Sequence, residues 1–229
     1  MSELPEILLV DKPKGITSFD VIRKLRRQTG LKKFGHAGTL DPLATGLMLV
    51  GVGKGTKLLT NLIKLDKEYI AEILLGESRT TGDMEGEVVE AKVIKTLPDN
   101  FVLERAVLGL VGTLSLTVSA YSAIKVDGKA MYKRAREAED RKEVISELPV
   151  REMRVYEAEI LKPVSEIMVE GEKRGLLVVR FKVASGTYIR SLAEELGKMI
   201  GLPATLYNLR RTKVGEYNIK EALSLEEIK

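Results

Sequence analysis

Ile7-Leu8-Leu9-Val10 is an uninterrupted apolar run closed by the turn-rich Asp11-Lys12-Pro13-Lys14-Gly15, which predicts a buried strand and a turn. The period then changes. Val21, Ile22 and Leu25 recur at helical spacing behind Thr17-Ser18-Phe19-Asp20, a capping-box-like start, and Gly30 is placed to stop the helix. Residues 35–55 are studded with glycine and show no clear period. Residues 56–64 look helical, whereas 69–75 and 87–94 look like strands, and Pro98-Asp99-Asn100 opens a helix that runs to about Leu110. Two longer strand patterns, 151–161 and 176–184, flank the turn-like stretch 171–175 and predict a hairpin. The cleanest helix is 188–200, with Ile189, Leu192, Ala193, Leu196 and Ile200 on one face and Gly201 and Pro203 beyond its end. Strands and helices mix without strict alternation, so the expected class is α+β, a mixed and largely antiparallel central sheet with flanking helices. No internal repeat or low-complexity linker divides residues 1–229, which are expected to form a single domain with a more mobile insert around 121–150.

Composition narrows the chemistry. The 229 residues contain no cysteine and one histidine, which excludes disulfides, thiolate metal sites and multi-histidine metal centres and leaves His36 as the sole candidate for a catalytic triad. No apolar run approaches the roughly 20 residues of a membrane helix, and the start has no basic region followed by an apolar one, so a cytoplasmic protein without membrane contact is expected. A net charge of +4 permits a polyanionic partner without naming one. Its distribution says more. Residues 21–36 hold six basic side chains (Arg23, Lys24, Arg26, Arg27, Lys32 and Lys33) and no acidic one, and a second basic segment spans 125–142, while 82–87 and 221–227 are acidic. Lys12, Lys14, Lys125, Arg210 and Arg211 belong to the candidate phosphate contacts.

The string Gly35-His36-Ala37-Gly38-Thr39-Leu40-Asp41-Pro42-Leu43-Ala44-Thr45-Gly46 gathers the histidine, three glycines and an acid-proline pair. Glycine allows close approach of a ligand to backbone, and proline fixes the chain after the acid. On residue types alone the string reads equally as an ordinary turn with Asp41 as a cap. Gly51-Val52-Gly53-Lys54-Gly55 has neither P-loop nor dinucleotide spacing.

That string resembles the catalytic motif of the tRNA pseudouridine-55 synthases of the TruB type. Leu9-Val10-Asp11-Lys12-Pro13-Lys14-Gly15, Lys67-Glu68-Tyr69, Tyr121-Ser122-Ala123-Ile124-Lys125, Gly186-Thr187-Tyr188-Ile189-Arg190 and Asn208-Leu209-Arg210-Arg211 resemble further motifs of the family in the same order. The resemblance implies an isomerase acting on the TΨC-loop uridine of tRNA, with Asp41 as essential carboxylate, Arg190 as its partner, and Tyr69 stacked on the base and taking the C5 proton. Leu209 and Ile189 would wall the pocket, Tyr188 would lie on its substrate side, and His36 would enter the RNA loop vacated by flipped nucleotides. Asp83, in a threonine-glycine-aspartate string, would be positional. Neither cofactor nor metal is implied. The partner is the tRNA T stem-loop, with no protein partner and a monomeric enzyme.

Two features depart from the family. Leu116-Thr117-Val118-Ser119-Ala120 replaces a glutamine- and proline-containing stretch and is expected to be a freer strand. The second is at the C-terminal end, where no PUA-type RNA-binding domain is expected, so that binding would rest on the catalytic domain. The alternative is a non-catalytic or weakly active tRNA-binding or folding protein of the same fold.

Overall fold

In a computed structural model, which describes residues 4–122, 124–126, 128–141 and 148–228, the first half of the chain forms β1 (Ile7–Lys12), α1 (Ser18–Thr29), β2 (Phe34–His36), β3 (Thr45–Val52), α2 (Leu59–Leu62), β4 (Lys67–Leu75), β5 (Glu77–Arg79), β6 (Val88–Ala91) and α3 (Asn100–Gly109). The second half forms β7 (Gly112–Thr117), β8 (Lys125–Val126), β9 (Lys129–Ala130), α4 (Met131–Arg141), β10 (Val150–Val169), β11 (Glu172–Val183), α5 (Ile189–Ile200), β12 (Ala204–Val214) and β13 (Tyr217–Asn218). The main sheet has the order β1-β3-β12-β4-β11-β10-β7, with β2 beside β3 and β13 beside β12. β1 and β2 pair antiparallel with β3, and β7 with β10, whereas β12 runs parallel to β3 with Arg211 opposite Gly46. The fold is therefore α+β on a mixed, largely antiparallel sheet, as the patterning predicts.

The chain divides into two compact units, Met1–Ala71 with Arg180–Ser185 and Asn208–Lys229, and Glu72–Val179 with Gly186–Tyr207. In the first unit, α1 begins with the expected capping box: Thr17 Oγ1 accepts from the Asp20 amide, and the Asp20 carboxylate accepts from the Thr17 amide. It ends on Gly30 in the left-handed conformation. Its Val21, Ile22 and Leu25 pack with Leu8, Val10, Met48 and Val50. Leu47 and Leu49 point the other way, into a cluster with Ala37 and Val214 that Leu59, Leu62 and Leu65 cover. β3 is thus buried on both faces, which explains its continuous Leu47-Met48-Leu49-Val50 run.

β3 is the element the glycines hide. At Gly46 (φ +105°) a side chain would meet the Arg211 carbonyl at 2.3 Å, and at Gly51 the backbone of Gly55 at 2.9 Å. These glycines mark close backbone crossings, not a loop. The helix expected over 56–64 is a 3-10 turn at Gly53–Leu58 followed by the single turn of α2.

In the second unit, Asp99 caps α3 through the Phe101 amide, and α5 ends on left-handed Gly201. The expected hairpin is present but longer. β10 and β11 meet at two residues, Glu170 (φ 51°) and Gly171 (φ 83°), a pairing that suits a type I′ turn, so Glu172 to Gly175 are strand and not turn. The 116–120 segment is held more firmly than expected. Leu116 and Val118 are buried, the Val118 amide donates to the Pro149 carbonyl at 2.8 Å, and Ser191 Oγ donates to the Thr117 carbonyl at 2.7 Å. The stretch expected to be an insert, 121–150, carries β8, β9 and α4; its residues 123, 127 and 142–147 and the Lys125 side chain lie outside the description.

Candidate active site

Asp41 stands on the connection between β2 and β3, and that connection is fastened along its length within the first unit. The Ala37 amide donates to the Leu49 carbonyl at 2.9 Å. Arg211, 1 % exposed, donates Nε to the Leu47 carbonyl at 2.7 Å and turns its other nitrogens toward the Thr39 and Gly38 carbonyls at 3.5 Å. Leu40 is bonded in both directions to Ser18. The Gly15 amide donates to the Pro42 carbonyl at 2.8 Å, and the Ala44 amide to the Asp41 carbonyl at 3.0 Å. Leu40, Leu43 and Ala44 are buried beneath, while Asp41 itself is half-buried. Apolar anchors and backbone bonds hold the loop in place, while Asp41 itself is neither fully buried nor fully exposed, an arrangement compatible with a positioned reactive group.

Two cations expected to meet phosphate turn out to be internal. Lys12 is fully buried, with Nζ donating to the carbonyls of Ile16 at 2.7 Å, Pro13 at 3.0 Å and Pro42 at 3.4 Å. It sits on the inward side of β1, where alternation places residues 8, 10 and 12. Arg211 is likewise an internal clamp. Their charges serve carbonyl groups of the loop, so they are corrected from phosphate contacts to structural donors. Lys14 is exposed and bonded to Asn208 Oδ1 at 2.6 Å, and Arg210 is half-exposed in a two-bond pair with Asp11.

His36 closes β2 opposite Val50. Its Nδ1 is buried without a hydrogen-bond partner, and burial, helped by the nearby Arg211 charge, lowers its pKa below the ordinary 6.5 despite an opposing backbone bond at Gly38. Burial thus favours the neutral form of the ring. Tyr69 and Leu209, each 8 % exposed, lie on β4 and β12 of the same unit.

Arg190, Ile189 and Tyr188 belong to the second unit, at the N-terminal end of α5. Tyr188 is the N-cap, and Ile189 and Arg190 are buried. Arg190 Nη1 donates to the Thr81 carbonyl at 2.8 Å and lies 3.5 Å from the Asp83 carboxylate, and Nη2 donates to the Tyr121 carbonyl at 3.3 Å. Asp83, also buried, accepts from Thr81 Oγ1 at 2.6 Å and the Glu85 amide at 3.1 Å. The next turn of α5 carries Glu194, whose pKa is raised, chiefly by burial. A cavity of about 480 Å³ in this unit, lined by residues such as Arg79, Glu194, Lys198 and Pro203, contains none of the predicted site residues.

Lys67 received no role in the sequence. It is 5 % exposed, donates to the Ile63 carbonyl at 2.6 Å and lies 3.0 Å from Ser185 Oγ. A lysine two residues before Tyr69, on the inward face of an alternating strand, was the available signal.

Residues 26–189 match the family described as TruB family pseudouridylate synthase (N terminal domain). The chain is 40% identical over 225 residues to a tRNA pseudouridine synthase B of Paenarthrobacter aurescens, covering 98% of this chain and 70% of that protein. It is 42% identical over 222 residues to one of Leifsonia xyli subsp. xyli, covering 96% and 70%. Among solved structures it is similar to a chain of an H/ACA RNP bound to a substrate RNA containing 2'-deoxyuridine, with a TM-score of 0.66 at 24% identity over 96% of this chain and 51% of the other. At that identity the likeness speaks for the fold alone.

Proposed function

The chain belongs to the TruB family of pseudouridylate synthases, and from that premise we propose that it isomerises the TΨC-loop uridine of tRNA, position 55, to pseudouridine with Asp41 as the reacting carboxylate. The observation that carries the assignment of Asp41 is the fastening of its loop. Ser18, Arg211, Gly15 and Lys12 all bind backbone within residues 38–42, while Asp41 as a residue stays only partly buried.

The reaction moves atoms within one nucleotide. The C1′–N1 bond breaks, the uracil turns, C5 bonds to C1′, the C5 proton leaves and N1 gains a proton. Atoms balance without a cofactor. A carboxylate beside the ribose starts this either as a nucleophile at C1′ or as a base toward the C2′ proton, and both routes need it ionised and aimed. Arg190 is assigned the guanidinium that keeps that charge, and its bonds to the Thr81 and Tyr121 carbonyls and the neighbouring Asp83 carboxylate leave it little freedom. Tyr69 supplies a ring face for the base and a phenol oxygen for the C5 proton, and Leu209 and Ile189 keep water from the cleaved state.

A uridine within a folded loop must be flipped out, at a cost of a few kcal/mol. His36 is assigned the vacated space, and the neutral form that burial favours enters a base stack without shedding a charge's hydration. Lys14 and Arg210, with the basic residues of α1, remain phosphate contacts.

The test is product formation on a T-arm RNA. Wild-type protein is expected to convert one uridine to pseudouridine without added metal or cofactor, and Asp41→Asn to bind the RNA and form none. Equal conversion by the two proteins removes Asp41 from the chemistry, and binding without conversion by wild type favours a tRNA-folding protein.

A further inference from the structure

Lys67 and Arg211 carry buried charges that the chemistry above does not use. Among the described residues their hydrogen-bond acceptors are neutral: the Ile63 carbonyl and Ser185 hydroxyl for Lys67, and the Leu47, Thr39 and Gly38 carbonyls for Arg211. The two cations also adjoin one another. A side chain placed on Gly38 would lie 3.7 Å from Arg211 Nη1 and 4.0 Å from Lys67 Cε, so both press on the same point of the Asp41 loop.

A cation buried among neutral acceptors costs stability, and a second one beside it adds repulsion that the Asp66 charge only partly offsets at Lys67. The cost is visible at Lys67. Burial first, and then the Arg211 charge, lower its pKa to about 8, with Asp66 opposing. The Arg211 clamp does not need a second charge beside it, and a methionine would fill the Lys67 position without the cost of burying one. Fixed positive charge under a loop is useful where negative charge must be held or must develop, three residues further along.

We propose that Lys67 and Arg211 act as paired positioning residues for the reaction: a buried dication that holds the Gly38 and Thr39 backbone and lends the Asp41 loop its positive field. The inference rests on Asp41 being the reacting group. The charged groups facing Lys67 are Arg211 from β12 and Asp66 before β4, and His36 feels the same Arg211 charge. The group of the pair whose pKa is lowered is Lys67, so the alkaline response is read there.

Linkage fixes the sign on stability. With its folded pKa near 8 and an unfolded value of 10.5, Lys67 binds its proton more weakly in the native state. It therefore destabilises the fold below pH 8, and that penalty fades as pH rises toward 10.5.

The experiment compares wild type, Lys67→Met, Lys67→Arg and Arg211→Lys by thermal melting, T-arm RNA binding and single-turnover pseudouridine formation from pH 6 to 9.5. Lys67→Met is expected to melt at or above the wild-type temperature, to bind RNA within twofold, and to react at least tenfold more slowly at pH 7. Wild type is expected to slow above pH 8, and Lys67→Arg to keep its rate at pH 9, a rescue that a packing role does not produce. Overturning results are a Lys67→Met protein that melts several degrees lower with an unchanged rate per folded molecule, or identical pH profiles for wild type and Lys67→Arg. Amide exchange at residues 38–41 reads the positioning separately from turnover. Faster exchange in Lys67→Met and Arg211→Lys supports the pair, and unchanged exchange sinks it. Wild type that makes no pseudouridine at all defeats the functional reading instead, and the exchange data still decide this one.

Discussion

Ser18 and Leu40 exchange two hydrogen bonds: the Leu40 amide donates to Ser18 Oγ at 2.8 Å, and the Ser18 hydroxyl lies 3.1 Å from the Leu40 carbonyl it donates to. One side chain at the start of α1 thereby satisfies both backbone groups of the residue before Asp41. Both residues are buried, so no water stands ready to replace the serine. Ser18→Ala is expected to cost about 1–3 kcal/mol by leaving buried polar groups unpaired, and to slow turnover because the loop loses one of its fastenings. Chemical denaturation with single-turnover kinetics checks it; loss of stability with a wild-type rate would show that Ser18 serves the fold alone.

Lys12 separates structure from RNA binding in the opposite sense. Its three carbonyl acceptors join the turn after β1 to Pro42, so Lys12→Met strips a donor from each. The expected loss is about 2–3 kcal/mol, as for hydrogen bonds from a charged group, which lowers the melting temperature of a chain this size by roughly 4–12 °C. RNA affinity measured well below the melt is expected to stay within twofold of wild type. A selective loss of affinity with unchanged melting would return Lys12 to the phosphate contacts.

Much of this was legible in the residues. The capping box of α1, the Gly30 and Gly201 stops and the amphipathic face of α5 follow from local rules, and the structure obeys them. β3 and β12 were not legible as strands, because the requirements that shaped them are non-local. Gly46 is glycine for the sake of the Arg211 backbone, 165 positions later, and Arg211 is arginine for the sake of carbonyls at Gly38, Thr39 and Leu47. The same limit misassigned the cations. A lysine or arginine in a basic stretch looks solvated until tertiary packing shows which carbonyls it serves, so charge clustering gave no hint that Lys12 and Arg211 lie inside, bonded to backbone carbonyls.

Arg190 and Asp83 make the strongest case for non-interchangeable charge. The guanidinium spans the Thr81 and Tyr121 carbonyls and the Asp83 carboxylate, a spread that an ammonium does not reproduce. Asp83→Ala takes one carboxylate from buried Arg190 while Glu194 still faces it, and is expected to destabilise by about 1.5–3 kcal/mol, as for a hydrogen bond to a charged group. Arg190→Lys keeps the charge and is expected to fold with a smaller loss, yet to be at least a hundredfold slower. The pair of measurements discriminates between effects: a slow, well-folded Arg190→Lys protein places the geometry of the guanidinium in catalysis, whereas nearly full activity confines it to bracing the Thr81 turn.

His36 gives the chain a predictable response to acid. Its folded pKa lies below the ordinary 6.5 because the ring is buried beside Arg211, so near and below pH 6.5 the unfolded chain binds a proton that the native chain resists. Stability contributed by the neutral ring is therefore present above pH 6.5 and is lost as pH falls through that value toward the folded pKa. His36→Phe keeps an aromatic ring and cannot take a proton, so its stability is expected to fall less than wild type's between pH 7 and pH 5 in urea titrations. If the ring acts by occupying the RNA loop, His36→Phe is expected to retain most of the pseudouridine yield and His36→Ala to lose it. A phenylalanine variant as inactive as the alanine one, with normal stability, would mean that an imidazole nitrogen contacts the RNA, the buried Nδ1 that lacks a partner in the free protein being the one to examine.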